Sequence, residues 1–177
     1  MLRYSPLLAL LLLAVLPASA QQKIGFVDTQ RILERLPEYA SVQQSLNQLA
    51  QEFTTELDRL QGEVDALEQE FAARELLYTD EERQRKKDEI RQARQELNQR
   101  RGQYFGPDGE LFREEQTRLR PVQERVLTAI ETVALDEDYD YVVDRGGELL
   151  LLFAKPEHDL TDFVLVELDI DTAVGGR

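Results

Sequence analysis

The sequence predicts an α+β fold in which a small β body carries a long antiparallel helical hairpin, and three observations indicate it. Apolar residues from Leu46 to Phe71 recur every three or four positions, the spacing of a helix with one buried stripe. A second, highly charged helical segment follows at once. Near both ends of the chain the pattern changes to short runs of β-branched and aromatic residues, which are typical of strands.

The first twenty residues have the organisation of a secretory signal. Arg3 provides a positive start, Leu7–Leu16 is an unbroken apolar run, and Ala18–Ala20 supplies small residues before a cleavage site. The apolar run is well short of the ~20 residues that span a bilayer. We therefore expect cleavage after Ala20 and no stable membrane insertion. Because the chain has no cysteine, we also expect neither disulfides nor a lipid anchor on cysteine.

The exported chain is strongly acidic. Without Arg3 it carries 20 basic against 35 acidic side chains, a net charge of -15, which repels nucleic acid and anionic lipid. The charge is uneven, because residues 38–82 contain 2 basic and 12 acidic side chains whereas residues 83–101 contain 8 basic and 3 acidic ones. We expect these two segments to attract each other.

The first structured segment is a strand that leads into a helix. Lys23–Val27 is short and rich in β-branched and aromatic residues, and Asp28 is a good N-cap for the helical sequence TQRILERL. Pro37 then suits the first turn of a second helix.

The second helix carries a coiled-coil seam. Two consecutive spacings of four, around Phe53, form a stutter that locally relaxes a left-handed supercoil. The stripe is narrow, so one partner helix would cover it while the rest of the surface stays in water. The predicted seam residues of this arm are Leu46, Leu49, Phe53, Leu57, Leu60, Val64, Leu67 and Phe71.

The partner helix follows directly. Thr79 and Glu82 form the sequence signature of a capping box, so a new helix starts there and the hairpin tip lies near residues 77–80. The sparse seam of this return arm consists of Ile90, Ala93, Leu97 and Tyr104. The two arms together predict an antiparallel hairpin.

The return arm is interrupted at the sequence FGPDG. We predict that Gly106 ends the helix in the left-handed conformation, that Pro107 prevents its continuation, and that Asp108 caps a new helix with Glu110 in its first turn. Counting back from the tip places this joint opposite Phe53, where the seam stutters. The joint is either a hinge or a passive correction of register. Further on, Pro121 predicts a second kink or boundary before an apolar stripe made of Val122, Val126, Ala129, Ile130 and Val133.

The C-terminal part returns to strands. Residues 139–144 and 148–154 read as two strands joined by Arg145, Gly146 and Gly147, and Asp159 is expected to cap a last helix, LTDFVLVEL. We assign residues 21–36 and 120–171 to the body, 37–119 to the hairpin and 172–177 to a disordered tail. So few strands leave exposed sheet edges, and self-association would cover them.

Nothing in the sequence predicts an enzyme, a cofactor or a metal site. The lone His158 lies in a loop, no cysteine is present, and no glycine-rich phosphate loop ending in Gly-Lys occurs. Asp136–Asp140 resembles the start of a calcium loop, but Tyr141 stands where such a loop needs glycine and Gly147 where it needs glutamate.

The order of these elements resembles the Skp (OmpH-like) family of periplasmic chaperones. The most specific stretches are KIGFVDTQRILERLPEY, FGPDGELF and YDYVVDRGGELLLLFAKPEHDLTDFVL, and the likeness covers residues 23–170. The resemblance implies a periplasmic homotrimer whose hairpins surround a cavity that holds unfolded outer-membrane β-barrel proteins without ATP. It places in the oligomerisation body Ile24, Phe26, Val27, Tyr141, Val143, Leu150 and Leu152. Familiar members are basic, so the acidity of this chain departs from them and speaks against binding of anionic lipid.

A second class of function is a structural coiled-coil spacer or scaffold of the cell envelope. A spacer needs long, uninterrupted heptads, whereas this seam is sparse, stuttered and broken at Gly106 and Pro107. We favour the holdase over the spacer, chiefly because of the family resemblance and in agreement with this broken seam.

The charge distribution predicts how the assembly responds to salt. Self-repulsion at a net charge of -15 should exceed the attraction between the two oppositely charged segments, and salt screens both. We expect the melting temperature of the mature chain to rise with NaCl between 0.05 and ~1 M, where the screening length falls to ~3 Å. A melting temperature that falls steadily over this range would show that attraction between the segments dominates.

Overall fold

The computed structural model describes residues 22–147 and 151–170, so the predicted signal and the predicted tail at 172–177 lie outside the described residues. The chain is largely helical. Its elements in order are β1 (Ile24–Val27), α1 (Thr29–Arg35), α2 (Pro37–Arg74), a 3-10 turn (Glu75–Leu77), α3 (Asp80–Phe105), α4 (Glu110–Asp136), β2 (Tyr141–Asp144), a second 3-10 turn (Pro156–His158) and α5 (Thr161–Glu167). The predicted α+β class with a long helical hairpin is confirmed.

The two strands pair in parallel. Ile24 lies opposite Tyr141 and Val27 opposite Asp144, while Phe26 also forms an isolated parallel bridge with Asp159. Parallel neighbours need a crossover connection, and here α1 and the whole helical hairpin supply it.

The described part of the predicted strand at residues 148–154, which is 151–154, does not form a strand. Residues 151–154 have no strand pairing and instead line a groove with Phe26 and Arg145, while 148–150, including Leu150, lie outside the described residues. A strand exists only when its backbone groups pair with a neighbour. Within the described part of one chain, residues 151–154 find no such neighbour.

The body has one core, which is built around the second half of α4. Helix α4 contributes one apolar stripe, and β1, α1 and α5 pack around it. The buried residues are Val27, Ile32, Leu36, Val122, Val126, Ala129, Val133, Leu160, Val164, Leu165 and Leu168. Because α4 begins at the joint and ends in this core, it connects the hairpin to the body.

Several local signals are confirmed. Asp28 caps α1 by accepting a 2.9 Å hydrogen bond from the Arg31 amide, and Pro37 opens α2. At the tip, Thr79 and Glu82 form both hydrogen bonds of the capping box. Such caps provide partners for backbone amides that the helix cannot satisfy itself.

Three local predictions are wrong, and of the two effects predicted for Pro121, a kink or a boundary, the boundary is absent. Gly106 is extended (φ -65°, ψ 169°) rather than left-handed, and Gly109, not Asp108, precedes the first residue of α4. Helix α4 continues through Pro121 without a boundary. Finally, α5 begins at Thr161 after Leu160, although the Asp159 side chain accepts a 3.0 Å hydrogen bond from the Thr161 amide. For Gly106 the reason is local, because a residue that precedes proline favours the extended conformation.

A polar junction ties three elements together at the carboxyl end of the strands. The Asp144 carboxylate accepts from the Thr29 hydroxyl (2.6 Å), the Thr29 amide (3.2 Å) and the Gly146 amide (3.0 Å). Fully buried Thr161 accepts a 3.0 Å hydrogen bond from the Asp28 amide and donates to Asp159 at 2.5 Å. The junction therefore joins the end of β2 to the starts of α1 and α5.

The Asp144 carboxylate should make stability depend on pH. Partial burial raises its pKa, but the hydrogen bonds from the Thr29 side chain and from the Gly146 and Thr29 amides together lower it below the usual value. A lowered pKa in the folded state adds stability above the unfolded-state pKa, and this stability is lost as pH falls through the folded-state value. Replacing Asp144 by Asn should cost about 1–2 kcal/mol at pH 7.

Paired denaturation curves of the wild type and Asp144→Asn test this, with exposed Asp136→Asn as the matched control. The difference in free energy of unfolding between the wild type and Asp144→Asn should have its full value at pH 7. It should decrease towards zero as the pH falls below about 4. A gap that stays constant with pH, or an equal effect of Asp136→Asn, would contradict the assignment.

Candidate functional site

The candidate site is the hairpin formed by α2 and α3. Helix α2 has 38 residues, which corresponds to a length of about 57 Å at 1.5 Å per residue. Helix α3 returns alongside it over 26 residues, and the joint and α4 complete the way back to the body.

The seam that joins the arms is narrow. Buried seam residues alternate with half-buried ones, and the positions between them are mostly exposed. The structure buries Leu46, Phe53, Leu60, Val64, Ile90 and Leu97, and it half-buries Leu49, Leu57, Leu67, Phe71, Ala93 and Tyr104. One apolar stripe on each arm is thus in contact, and most of the hairpin surface is available to other molecules.

An aromatic cluster lies at the joint. The ring of Phe53 on α2 stacks on Tyr104 with centroids 4.0 Å apart, and it meets Phe105 edge-on at 6.1 Å. Tyr104 and Phe105 are the last two residues of α3, so the joint lies opposite Phe53. Stacked and edge-on pairs of this kind stabilise by about 0.5–1.5 kcal/mol beyond their area burial.

The joint needs glycine for close packing rather than for an unusual φ. A Cβ atom on Gly106 would lie 2.4 Å from the carbonyl oxygen of Gly102, and one on Gly109 would lie 2.7 Å from that of Tyr104. The Gly109 amide also donates a 2.8 Å hydrogen bond to the Gly106 carbonyl. The turn is therefore compact, and a larger residue at either position would force the backbone to move.

The tip exposes two leucines on a well-held turn. Leu76 and Leu77 are 96% and 81% exposed. The Arg83 guanidinium pairs with Asp80 at 3.0 Å and donates to the Tyr78 carbonyl at 3.4 Å. Hydrogen bonds from the Thr79 amide and hydroxyl lower the pKa of Glu82.

Charged side chains pair mostly within their own helix. Arg59 bonds Glu56 and Glu63 along α2, whereas the described contacts between the arms are Arg94–Glu68 at 2.8 Å and Lys86–Glu70 at 4.0 Å. Exposed pairs of this kind contribute about 0–1 kcal/mol each. The apolar seam, rather than the attraction of opposite charges, therefore holds the arms together.

The residues predicted for an oligomerisation body divide into two groups. Phe26 and Val27 are buried within the chain and Val143 is half-buried, whereas Leu150 lies outside the described residues. Exposed large apolar side chains gather around the strands and the segment 151–154. They are Ile24, Tyr141, Leu152 and Phe153, with Leu152 at 86% exposure. Apolar surface of this kind marks contact sites in proteins.

The described residues show little that resembles reaction chemistry. The Nδ1 atom of His158 lies 3.3 Å from the Tyr139 hydroxyl. Burial, followed by Glu137 and Glu157, raises the pKa of that hydroxyl. Over 22–147 and 151–170, no group of three or more histidine and carboxylate side chains is arranged for a metal, and no helix is long and apolar enough to cross a membrane.

Sequence reasoning missed the Thr29–Asp144 junction and the buried hydroxyl of Thr161. Their signal was weak, because a threonine or aspartate beside a strand or helix end is usually a local cap. Only the parallel pairing of β1 with β2 brings Thr29 and Asp144, which are 115 residues apart, into contact.

Comparisons with known proteins agree with this geometry. Residues 23–168 match the family model described as outer membrane protein (OmpH-like). Among solved structures, the chain is similar to a crystal structure of a proposed OmpH-like outer membrane chaperone from Caulobacter crescentus CB15, with a TM-score of 0.67 and 20% identity. The match covers 89% of this chain and 91% of the other, and it shows a shared fold. No curated protein shows significant similarity.

Proposed function

The chain belongs to the OmpH-like family, and from that premise we propose that it is an ATP-independent periplasmic holdase. In this role it binds unfolded outer-membrane β-barrel proteins between its hairpins and prevents their aggregation before membrane insertion. The observation that carries the proposal is the hairpin itself, which buries only a narrow seam and exposes most of its surface. A holdase needs such a surface, because many weak contacts must form and break without an energy source.

We propose that the working assembly is a homotrimer. The exposed apolar side chains around β1, β2 and residues 151–154 support it, because their burial between copies would remove apolar surface from water. The unpaired segment 151–154 would gain hydrogen-bonding partners from a neighbouring copy. Three hairpins would then leave one body and enclose a shared cavity.

The joint at 106–109 is proposed as a hinge within each hairpin. Its support is the coincidence of a helix break in one arm with a seam stutter in the other, both centred on Phe53. A hinge at this height would let the distal arms splay around clients of different size.

The spacer alternative draws no support from the hairpin. A spacer keeps two partners at a fixed distance and needs a continuous rod. In this hairpin the return arm is not continuous, because the turn at residues 106–109 separates α3 from α4. The structure favours a deformable arm over a rigid one.

The holdase and the trimer are tested together. The mature chain should have the solution mass of a trimer and should suppress aggregation of a urea-diluted β-barrel protein at about one trimer per client. Leu152→Asp places a charge where we propose contact between copies and should lower the mass. Leu76→Asp is the matched control at the exposed tip and should leave the mass unchanged.

Either of two results would contradict the proposal. If the wild-type trimer leaves client aggregation unaffected, the proposed holdase function is wrong. If the Leu152→Asp variant has an unchanged solution mass and melting temperature, the proposed contact between copies at Leu152 is wrong.

The hinge is tested by replacing Gly106, Pro107 and Gly109 together by Ala. Alanine does not fit the compact turn, and it favours helix over glycine by up to ~1 kcal/mol per residue, so the arm should become a continuous helix. We expect higher helicity by circular dichroism, an intact trimer, and a reduced capacity for a large β-barrel client relative to a small one.

Phe112→Ala, which removes an exposed aromatic side chain beside the joint, serves as control. It should leave helicity and the ratio of the two capacities unchanged. Raised helicity in the triple variant with equal activity toward both clients would reduce the joint to a correction of register.

A further inference from the structure

One side of the hairpin carries an unusual density of glutamine. On α3, Gln92, Gln95, Gln99 and Gln103 follow one another at spacings of three, four and four, and all are exposed. This is the spacing of one helix face. Together with Glu96 and Arg100 they line one shallow groove of the hairpin.

A second groove with the same chemistry lies on α2. It is lined by Gln48, Gln51 and Thr55, together with the charged residues Glu52, Glu56 and Arg59. Each groove is lined by residues of one helix only, the first by α3 and the second by α2. We call the surface of these two grooves the amide face.

The amide face is nearly neutral in a strongly acidic chain. Its charged members are two arginines and three glutamates, and Arg59 is paired with Glu56 on its own helix. A groove elsewhere along the hairpin is different, because Lys87, Arg91 and Arg94 line it with a single carboxylate, Glu68. The hairpin thus presents a cationic groove and a neutral, hydrogen-bonding face.

Glutamine side chains suit one class of partner. Each amide offers an acceptor oxygen and two donor hydrogens, which match the carbonyl and N–H groups of a peptide backbone. Gln92 and Gln103 are about 16 Å apart along the helix, the length of roughly five residues of extended chain. A face whose positive and negative side chains nearly balance also binds with little selection for the net charge of the client sequence.

We propose that the amide face holds the backbone of an extended, unfolded polypeptide. The inference rests on the proposed holdase function and names the surface that performs it. The face lacks the apolar knobs that a second hairpin would need for coiled-coil packing. An anionic lipid or nucleic acid would instead meet the cationic groove around Arg91.

The test replaces Gln92, Gln95 and Gln99 in two ways. Gln→Glu at all three positions preserves helix propensity and shape but introduces charge, and Gln→Ala removes the hydrogen-bonding groups without adding charge. The matched control is Gln→Glu at the exposed residues Gln69, Gln116 and Gln123, which changes the net charge equally outside both grooves. The probe is a urea-unfolded, fluorescently labelled outer-membrane β-barrel protein.

We expect both variants of the amide face to raise the dissociation constant for the probe about tenfold, and the control to leave it unchanged. Unchanged binding by both variants would overturn the inference, and so would weakening by Gln→Glu alone, because the face would then act through its neutrality and not through hydrogen bonds. An altered solution mass would also overturn it by making the face a contact between copies. Failure of the wild type to bind the probe would instead overturn the proposed function.

Discussion

The parallel pairing of β1 with β2 is the constraint on which the rest of the chain depends. A parallel pair cannot be closed by a tight turn, and the crossover here is a hairpin that leaves the body through α2 and returns through α4. Every residue of both arms is therefore inserted between two strands that must meet. The Thr29–Asp144 junction and the α4 core stabilise that closure, since they link the beginning and the end of the crossover.

In this arrangement the body contains the main apolar core, and the hairpin exposes most of its surface. The body has a compact core around α4, whereas the hairpin is held by one narrow stripe and by ion pairs that lie largely within single helices. Stacking at Phe53 fixes the arms at the height of the joint, and the distal arms rely on a small apolar cluster at Leu60, Val64 and Leu97. A hairpin of this kind can change its outer faces without disturbing the fold, and those faces carry the proposed function.

The outer faces differ in chemistry along the same pair of helices. The cationic groove and the amide face give a chain of net charge -14 two surfaces on which its overall acidity is locally cancelled or reversed. The net charge of the chain is therefore a poor guide to the local charge at the surface of the hairpin. For the proposed holdase, a nearly neutral face that matches peptide groups would allow one surface to accept many client sequences.

The sequence by itself determined the features that arise from neighbouring residues. The helical stripe of α2, the capping box at Thr79 and the Asp28 cap follow from spacings of three or four residues, and the structure contains them. The extended conformation of Gly106 in FGPDG also has a local cause, because a residue before proline favours it over the left-handed cap. Tertiary structure alone decided the remainder. The pairing of β1 with β2 and the Asp144 junction depend on residues more than 100 positions apart, and no local pattern encodes such contacts. Residues 151–154 have a strand-like sequence, but they form no strand within the described part of the chain.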